Sequence, residues 1–257
     1  MRSLLLLLSA MVVGWGLEIG VSIPPQKYII EAIGGNRVSV EVVLPKGATP
    51  VTYNPTMEEV AKLRKLPLFF SIGVPFESKF LPKLREWGVP VVDMGKWIKR
   101  RKSNGVIDPH IWLSPPLLMV EGEMVLQKLI ELDPSSKTYY LNNYNRFVRK
   151  LLQLNRLGFK VAGRSFITFH PAYSYLAATY NLHQLAIEES EGASSISTIL
   201  KLVEKGRREG VKVVFIAPEY PKRVAEMVAR QLGAKVVVVS PLDNPLTTIK
   251  KVLEGLE

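Results

Sequence analysis

The chain has 257 residues, 47% of them hydrophobic and 22% charged, with a formal net charge of +11. This composition excludes disordered, collagen-like and low-complexity chains and suits one large domain or two lobes of ordinary size. Because the sequence has no cysteine, disulfides, thiolate metal sites and a lipid-modified cysteine are excluded. Any metal would be held by imidazole, carboxylate, hydroxyl or carbonyl groups.

The first residues have the pattern of an export signal. Arg2 precedes an apolar run at 4–13, and small residues follow from Gly14. The run is too short for a permanent transmembrane helix. The alternatives to a cleaved signal peptide are a buried strand and an uncleaved anchor. We predict a signal peptide at 1–17, whose removal takes away only Arg2 and lowers the net charge from +11 to +10.

Beyond this segment, apolar runs bounded by glycine or proline alternate with segments whose apolar residues recur every three or four positions. The apolar runs predict strands at 18–23, 37–44, 68–72, 89–94, 165–169, 185–187, 211–216 and 235–239. The periodic segments predict helices at 26–33, 76–88, 115–132, 135–157, 172–180, 197–209, 221–232 and 245–256. One more helix is predicted after Thr56, which forms a capping-box pattern with Glu59.

Strands and helices that alternate on both sides of one long helix predict an α/β fold of two lobes with mostly parallel sheets. The long helix would extend about 35 Å, enough to join the lobes as a rigid link. We therefore expect an N-terminal lobe at 18–134, a linking helix at 135–158 and a C-terminal lobe at 159–257.

The densest basic run is KWIKRRK at 96–102. Together with the net charge, it is compatible with binding to nucleic acid or to an anionic membrane surface. An exported chain has little access to nucleic acid, and charge runs are usually solvated. We therefore interpret this run as a solvated loop and expect no nucleic-acid partner.

Two of the three histidines occur in similar contexts, Asp108-Pro109-His110 and Phe169-His170-Pro171. We expect His170, and by analogy His110, at the carboxyl end of a strand, where parallel sheets bind ligands. Lobes that face each other would then place both imidazoles in one cleft, as candidate metal ligands. The alternative for each is a hydrogen-bonded loop histidine. His183 is expected on the surface.

Motifs spread over nearly the whole chain carry a resemblance to a known family. They are Gly47-Ala48-Thr49-Pro50, Asp108-Pro109-His110-Ile111-Trp112, Leu132-Asp133-Pro134, Phe169-His170 with Ala172-Tyr173, and Gly233-Ala234-Lys235 before Pro241-Leu242. On these residues the chain resembles the substrate-binding proteins of zinc- and manganese-type ABC transporters. The resemblance implies two (β/α) lobes with a rigid linking helix and a zinc or manganese ion held between them. It also implies a monomeric, non-enzymatic receptor in the periplasm or on the extracytoplasmic face, with a membrane permease as partner.

The resemblance carries over two ligands, His110 and His170, and departs from the family pattern elsewhere. Val51 stands where the family has its first histidine, Ser240 where it usually has an aspartate, and Ala217 where a glutamate is common. Two neutral imidazoles leave the charge of the ion uncompensated, which predicts weak metal binding.

Other residues near these positions are candidates to complete the site. Glu219 and Asp243 lie close to the altered positions in sequence, and Ser240 itself carries a hydroxyl. Asp108 is a candidate to orient a neighbouring ligand. For Asp243 we favour a role at the start of the last helix, with Asn244 and Pro245.

Three functions remain open from the sequence. The first is a receptor that delivers a divalent metal to an ABC importer. The second is a divergent member of the same fold that binds another ligand or a partner protein, motivated by the altered ligand positions. The third is a hydrolase with a two-histidine metal site, although the sequence contains neither a Gly-x-Ser-x-Gly nor a His-Glu-x-x-His motif.

Overall fold

The computed structural model describes residues 16–103, 105–188 and 195–257. In the first part of the chain the elements are β1 (Leu17–Val21), α1 (Pro24–Gly34), β2 (Val38–Val42), α2 (Met57–Lys62), β3 (Leu68–Ser71), α3 (Leu81–Glu86) and β4 (Val91–Asp93). The four strands form one sheet in the order β2-β1-β3-β4, and every pair is parallel. Of the predicted signal peptide, 1–15 lie outside the described residues, Gly16 is described, and Leu17 already belongs to β1.

The second sheet belongs to the last third of the chain. Its elements are β7 (Ser165–Thr168), α6 (Ser174–Tyr180), β8 (His183–Ala186), α7 (Ile196–Arg208), β9 (Val213–Ile216), α8 (Lys222–Leu232), β10 (Lys235–Val238) and α9 (Pro245–Leu256). The strand order is β10-β9-β7-β8, again parallel throughout. The predicted α/β fold with two parallel sheets is therefore confirmed.

Residues between the two sheets form a short antiparallel hairpin and two long helices. The hairpin pairs β5 (Lys102–Ser103) with β6 (Val106–Ile107), and α4 (Pro115–Leu132) and α5 (Lys137–Lys160) follow it. No helix within the described residues is long and apolar enough to cross a membrane.

The central strands are buried on both faces, as their continuous apolar sequences predict. All four residues of β3 and all four of β9 are buried. Each sheet is therefore covered by helices on both sides. The carboxyl edge of each sheet, where loops such as the one after β7 begin, is not covered in this way and is where a ligand can bind.

Helix α5 is the predicted link between the halves. It packs against α1 and α4, which precede it in the chain, and against α9, which follows it. Near its start the Asn143 amide donates to the backbone oxygen of Ile33, and near its end the Tyr180 hydroxyl donates to Asn155. Gly158 is required there, because a Cβ atom would lie 2.4 Å from the Tyr180 ring. With 24 residues, α5 is about 36 Å long.

Several predicted boundaries were wrong, and proline explains two of them. The helix predicted at 76–88 is divided into a 3-10 turn, Pro75–Lys79, and α3, because Pro82 has no N–H to continue the helical ladder. Pro24 and Pro25, which we expected to end the first strand, form the first turn of α1, where a missing N–H costs nothing.

Two further predictions were wrong for tertiary reasons. The strand predicted at 185–187 begins two residues earlier, at His183, which pairs with Ser165. The apolar spacing that predicts the helix at 135–157 includes Leu152, yet this side chain is 48% exposed.

The capping box predicted at the start of α2 is confirmed. The Thr56 hydroxyl accepts a hydrogen bond from the Glu59 amide at 3.2 Å, and the Glu59 carboxylate accepts one from the Thr56 amide. We expect Thr56→Ala to lower the free energy of unfolding by about 1 kcal/mol, measured by urea denaturation. Thr56→Ser keeps the hydroxyl and should unfold like the parent; equal losses in both variants would contradict the capping role.

Candidate metal site

In sequence, His110 lies between the last strand of the first sheet and the first strand of the second. It is the third residue after the β5–β6 hairpin and precedes a 3-10 turn, Ile111–Leu113, so our expectation that it ends a strand of the first sheet was wrong. Its Nδ1 atom lies 2.7 Å from a carboxylate oxygen of Asp108, and its backbone N–H donates to the same oxygen at 3.0 Å. Asp108 thus holds both the ring and the backbone of His110.

His170 follows β7 at the carboxyl edge of the second sheet, as predicted. Its Nδ1 atom lies 2.9 Å from a carboxylate oxygen of Glu188. Glu188 follows β8, which is the parallel neighbour of β7, so both residues leave the sheet at the same edge. The pair repeats the arrangement of Asp108 with His110.

The structure brings the two histidines together. Their ring centroids are 5.2 Å apart, and the ring planes meet at 62°. Trp112 lies against His110 at 5.1 Å, and Tyr220 stacks on His170 at 6.1 Å. Since carboxylates occupy the Nδ1 side of both rings, Nε2 is the atom that each ring has available for a ligand.

Direct hydrogen bonds join the two halves of the chain around this pair. The hydroxyls of Ser174 and Tyr175, at the start of α6, donate to the side chain and the backbone oxygen of Asp108, respectively. The indole N–H of Trp112 donates to the backbone oxygen of Pro241 at 2.7 Å. The residues that support His110 are therefore anchored to the second lobe.

The pKa values reflect burial and close contact. Burial lowers the pKa of His170 below its ordinary range, and the neighbouring His110 ring contributes in the same direction. Burial acts to raise the pKa of Asp108, but the hydrogen bonds and charge of His110, with a further bond from Ser174, outweigh it and hold that pKa below its usual range. Neutral His170 and ionised Asp108 are the forms that a metal site uses.

A second polar group contains the other candidate residues. The Ser240 hydroxyl, which is buried, donates to the Glu219 carboxylate at 3.0 Å and accepts from the Leu242 amide. The Tyr173 hydroxyl is buried without a hydrogen-bond partner among the described residues. Burial raises the pKa of Tyr173, and the charges of Glu219 and Asp243 raise it further.

The remaining sequence candidates are less central. The cap of α9 is the Asn244 side chain, which accepts from the Leu246 amide at 3.0 Å, so assigning a share of that role to Asp243 was wrong. Val51 lies in a turn and is 42% exposed, whereas Ala217 is buried. Within the described ranges, no cluster of three or more histidine, aspartate or glutamate side chains is arranged to hold a metal ion.

The sequence reasoning did not connect Glu188 with His170. In sequence, Glu188 belongs to an acidic loop with Glu189 and Glu191, and these last two lie outside the described residues. Residues that follow adjacent parallel strands emerge at one edge of the sheet, and this rule could have predicted that Glu188 lies near His170. The strand order that makes β7 and β8 neighbours was the missing information.

Comparison with known proteins supplies the family. The model of the family described as "Zinc-uptake complex component A periplasmic", or ZnuA, matches residues 19–251. The chain belongs to this family. Its members are substrate-binding receptors of ABC transporters and not enzymes, which excludes the hydrolase alternative.

Relatives and solved structures agree with this assignment. The chain is 25% identical to the high-affinity zinc uptake system protein ZnuA of Bacillus subtilis, over 89% of this chain and 79% of that protein. It is 28% identical to a putative metal-binding protein of Thermotoga maritima, over 93% and 89%. A crystal structure of ZnuA superposes with a TM-score of 0.84 at 31% identity, covering 95% of this chain and all of the other.

Proposed function

We propose that this ZnuA-family protein binds a divalent metal ion, zinc or manganese, between its lobes and delivers it to an ABC permease. The observation that carries the proposal is the meeting of His110 and His170, each held at Nδ1 by a carboxylate and each from a different half of the chain. We further propose that the protein is exported and works as a monomer outside the cytoplasm.

The spacing of the two rings is compatible with one shared ion. Two imidazoles bound to a tetrahedral zinc through bonds of about 2.0–2.1 Å have ring centres roughly 5 Å apart. The observed separation is 5.2 Å. The carboxylates of Asp108 and Glu188 would fix the ring orientations and raise the basicity of Nε2.

Glu219 is our candidate for the missing anionic ligand. Its carboxylate accepts a hydrogen bond from Ser240, the residue that replaces the usual aspartate of the family, so it already occupies the neighbourhood of the lost group. A carboxylate there would offset part of the ion's charge. Asp243 is the alternative, since its charge and that of Glu219 both act on Tyr173.

The decisive experiment is calorimetric titration of the chelator-treated protein with zinc, manganese and magnesium. We expect one zinc per chain and weaker binding of manganese, because imidazole donors favour zinc over manganese. Magnesium, which prefers oxygen ligands, should produce no signal. Absence of binding by both zinc and manganese would overturn the proposal.

A second candidate function is recognition of a ligand other than a metal, or of a partner protein, by the same fold. The replacements at Val51, Ala217 and Ser240 favour it, because they remove three of the family's oxygen and nitrogen donors. If the titration shows no metal binding while the folded protein still associates with its permease, this candidate becomes the better description.

The carboxylate behind His170 provides a quantitative prediction. We expect Glu188→Gln to weaken zinc binding by roughly 10- to 100-fold, since an amide orients the ring less strongly and does not raise its basicity. The measurement is the zinc dissociation constant from competition with a chelator.

A matched control exists at the opposite end of β8. His183 and Glu209 form another histidine–carboxylate pair, at 3.9 Å and away from the site. Glu209→Gln should leave zinc binding unchanged, and an equal loss in both variants would show that the effect is not local.

A further inference from the structure

Residues 96–103 and 105–107, which we call the basic hairpin, form a strongly cationic segment that leads into the site. Five lysine and arginine residues lie within it, and it contains no aspartate or glutamate. The segment includes the antiparallel pair β5–β6, in which Lys102 lies opposite Ile107 and Ser103 opposite Val106. The solvated loop predicted from the sequence therefore contains a short β-hairpin, β5–β6, that was not predicted.

Of the five cationic side chains, Arg100 alone forms hydrogen bonds that fix the segment to its neighbours among the described residues. The Arg100 guanidinium donates to the Ile72 backbone oxygen at 2.8 Å and to Asp93 at 2.9 Å, and its side chain is 15% exposed. The other four cations are exposed and form no ion pair with any described residue; they are Lys96, Lys99, Arg101 and Lys102. Arg100 thus fixes the segment while four charges face outward.

Apolar side chains are exposed on the same short segment. Trp97 is 53% exposed, Val106 is 72% exposed and Ile107 is 50% exposed. A solvated loop has no need of an exposed indole and two β-branched aliphatic residues beside four exposed cations. An anionic lipid surface uses both kinds of group, since headgroups attract the cations and the interface accepts tryptophan and aliphatic side chains.

We propose that the basic hairpin docks the protein on an anionic phospholipid bilayer. Four cations neutralise headgroup charge while Trp97, Val106 and Ile107 enter the interfacial layer. Nucleic acid fits the charges and the indole, but it offers nothing to the two aliphatic side chains. The Arg100 side chain and the hydrogen bond from the Arg101 amide to the Tyr175 hydroxyl hold the backbone around these two residues. This part of the hairpin therefore does not have to become ordered when it binds the bilayer.

This contact is independent of metal binding but places the site near the membrane. The hairpin ends at Ile107, and the next residue is Asp108, which holds His110. A bilayer bound to the hairpin would therefore lie close to the segment that supports His110. The contact would concentrate the protein on the surface in which a permease is embedded.

The test is cosedimentation of the exported chain with vesicles of phosphatidylcholine alone or with 30% phosphatidylglycerol. We expect binding only to the anionic vesicles, and weaker binding as salt increases. A variant with Lys96, Lys99, Arg101 and Lys102 replaced by glutamine should bind at least about tenfold more weakly, since each cation near the surface contributes to adsorption.

The control removes the same charge elsewhere. Lys212, Lys222, Lys235 and Lys251 are exposed and belong to the second half of the chain, and their replacement by glutamine lowers the net charge equally. This control should bind anionic vesicles within about twofold of the parent. Equal losses in the two quadruple variants would overturn the proposal, because they would show general attraction and not a docking surface.

A separate variant tests whether the Trp97 side chain enters the interfacial layer of the bilayer. Trp97→Ser, which keeps all four cations, should weaken vesicle binding by several-fold, whereas Trp87→Ser should not. Single-stranded DNA serves as an anionic probe without an apolar interior. Binding to DNA but not to anionic vesicles, or vesicle binding indifferent to Trp97, would contradict the membrane assignment.

Discussion

Replacing His110 and His170 together with alanine should reduce the affinity for zinc by more than about a hundredfold. Loss of the carboxylate behind a metal-bound histidine alone typically costs 10- to 100-fold, and the double variant removes both imidazoles that the site provides. The rings are 5.2 Å apart, so the two single variants should each lose most of the affinity. Calorimetric titration of metal-free protein measures all three.

The third histidine provides the control for this experiment. His183 lies at the start of β8 beside Ser165, whereas His170 follows the end of β7, and the His183 side chain is 55% exposed. His183→Ala should bind zinc like the parent. Circular dichroism of the double variant should match the parent, because both histidines lie in connecting segments. Undiminished zinc binding by the folded double variant would refute the assignment of the site.

The second large effect concerns Glu121, which lies within α4. Its side chain is fully buried, and neither carboxylate oxygen has a hydrogen-bond partner among the described residues. Burial raises the pKa of Glu121 well above the ordinary glutamate range. A buried polar group without a partner costs about 1–3 kcal/mol, so Glu121→Met should raise the free energy of unfolding by a similar amount.

The gain from Glu121→Met should depend on pH with a definite sign. Below the ordinary glutamate range near 4.5 the carboxyl is protonated in both the folded and the unfolded chain. As the pH rises, the unfolded chain loses the proton first, which lowers the stability of the parent but not of the variant. The difference should therefore grow from pH 4 upward until the buried carboxyl itself ionises. Urea denaturation at several pH values measures it.

Glu77 provides a contrast, because it is also buried but has its partners. Its carboxylate accepts hydrogen bonds from the Ser22 hydroxyl and from the amides of Ile72 and Gly73, both at 2.8 Å. Glu77→Met leaves these donors without acceptors and should lower the free energy of unfolding by at least about 2 kcal/mol. The same change at Glu121 and Glu77 should thus have opposite signs. A loss of stability in both would contradict our account of Glu121.

Part of the fold was predictable because its signals are local. The bounds of α4 and α9 agree with the prediction at 115–132 and 245–256, since proline begins each helix and apolar spacing continues it. The Thr56–Glu59 capping box was visible for the same reason. Local signals failed where a residue's role depends on its neighbours in space. The apolar spacing of α4 includes position 121, but an isolated glutamate there gives no sign that it is buried without a partner.

The sequence by itself determined the alternation along the chain of the strands of the two sheets with their helices, the α/β class, and the two histidines that the resemblance singled out. Its apolar periodicity and proline positions act over a few residues, so they can be interpreted without the fold. The tertiary structure decided that Asp108 and Glu188 hold the two rings, that Glu219 reaches Ser240, and that Trp97 faces outward. Each of these depends on which strands are neighbours and on which loops meet, and long-range packing sets both.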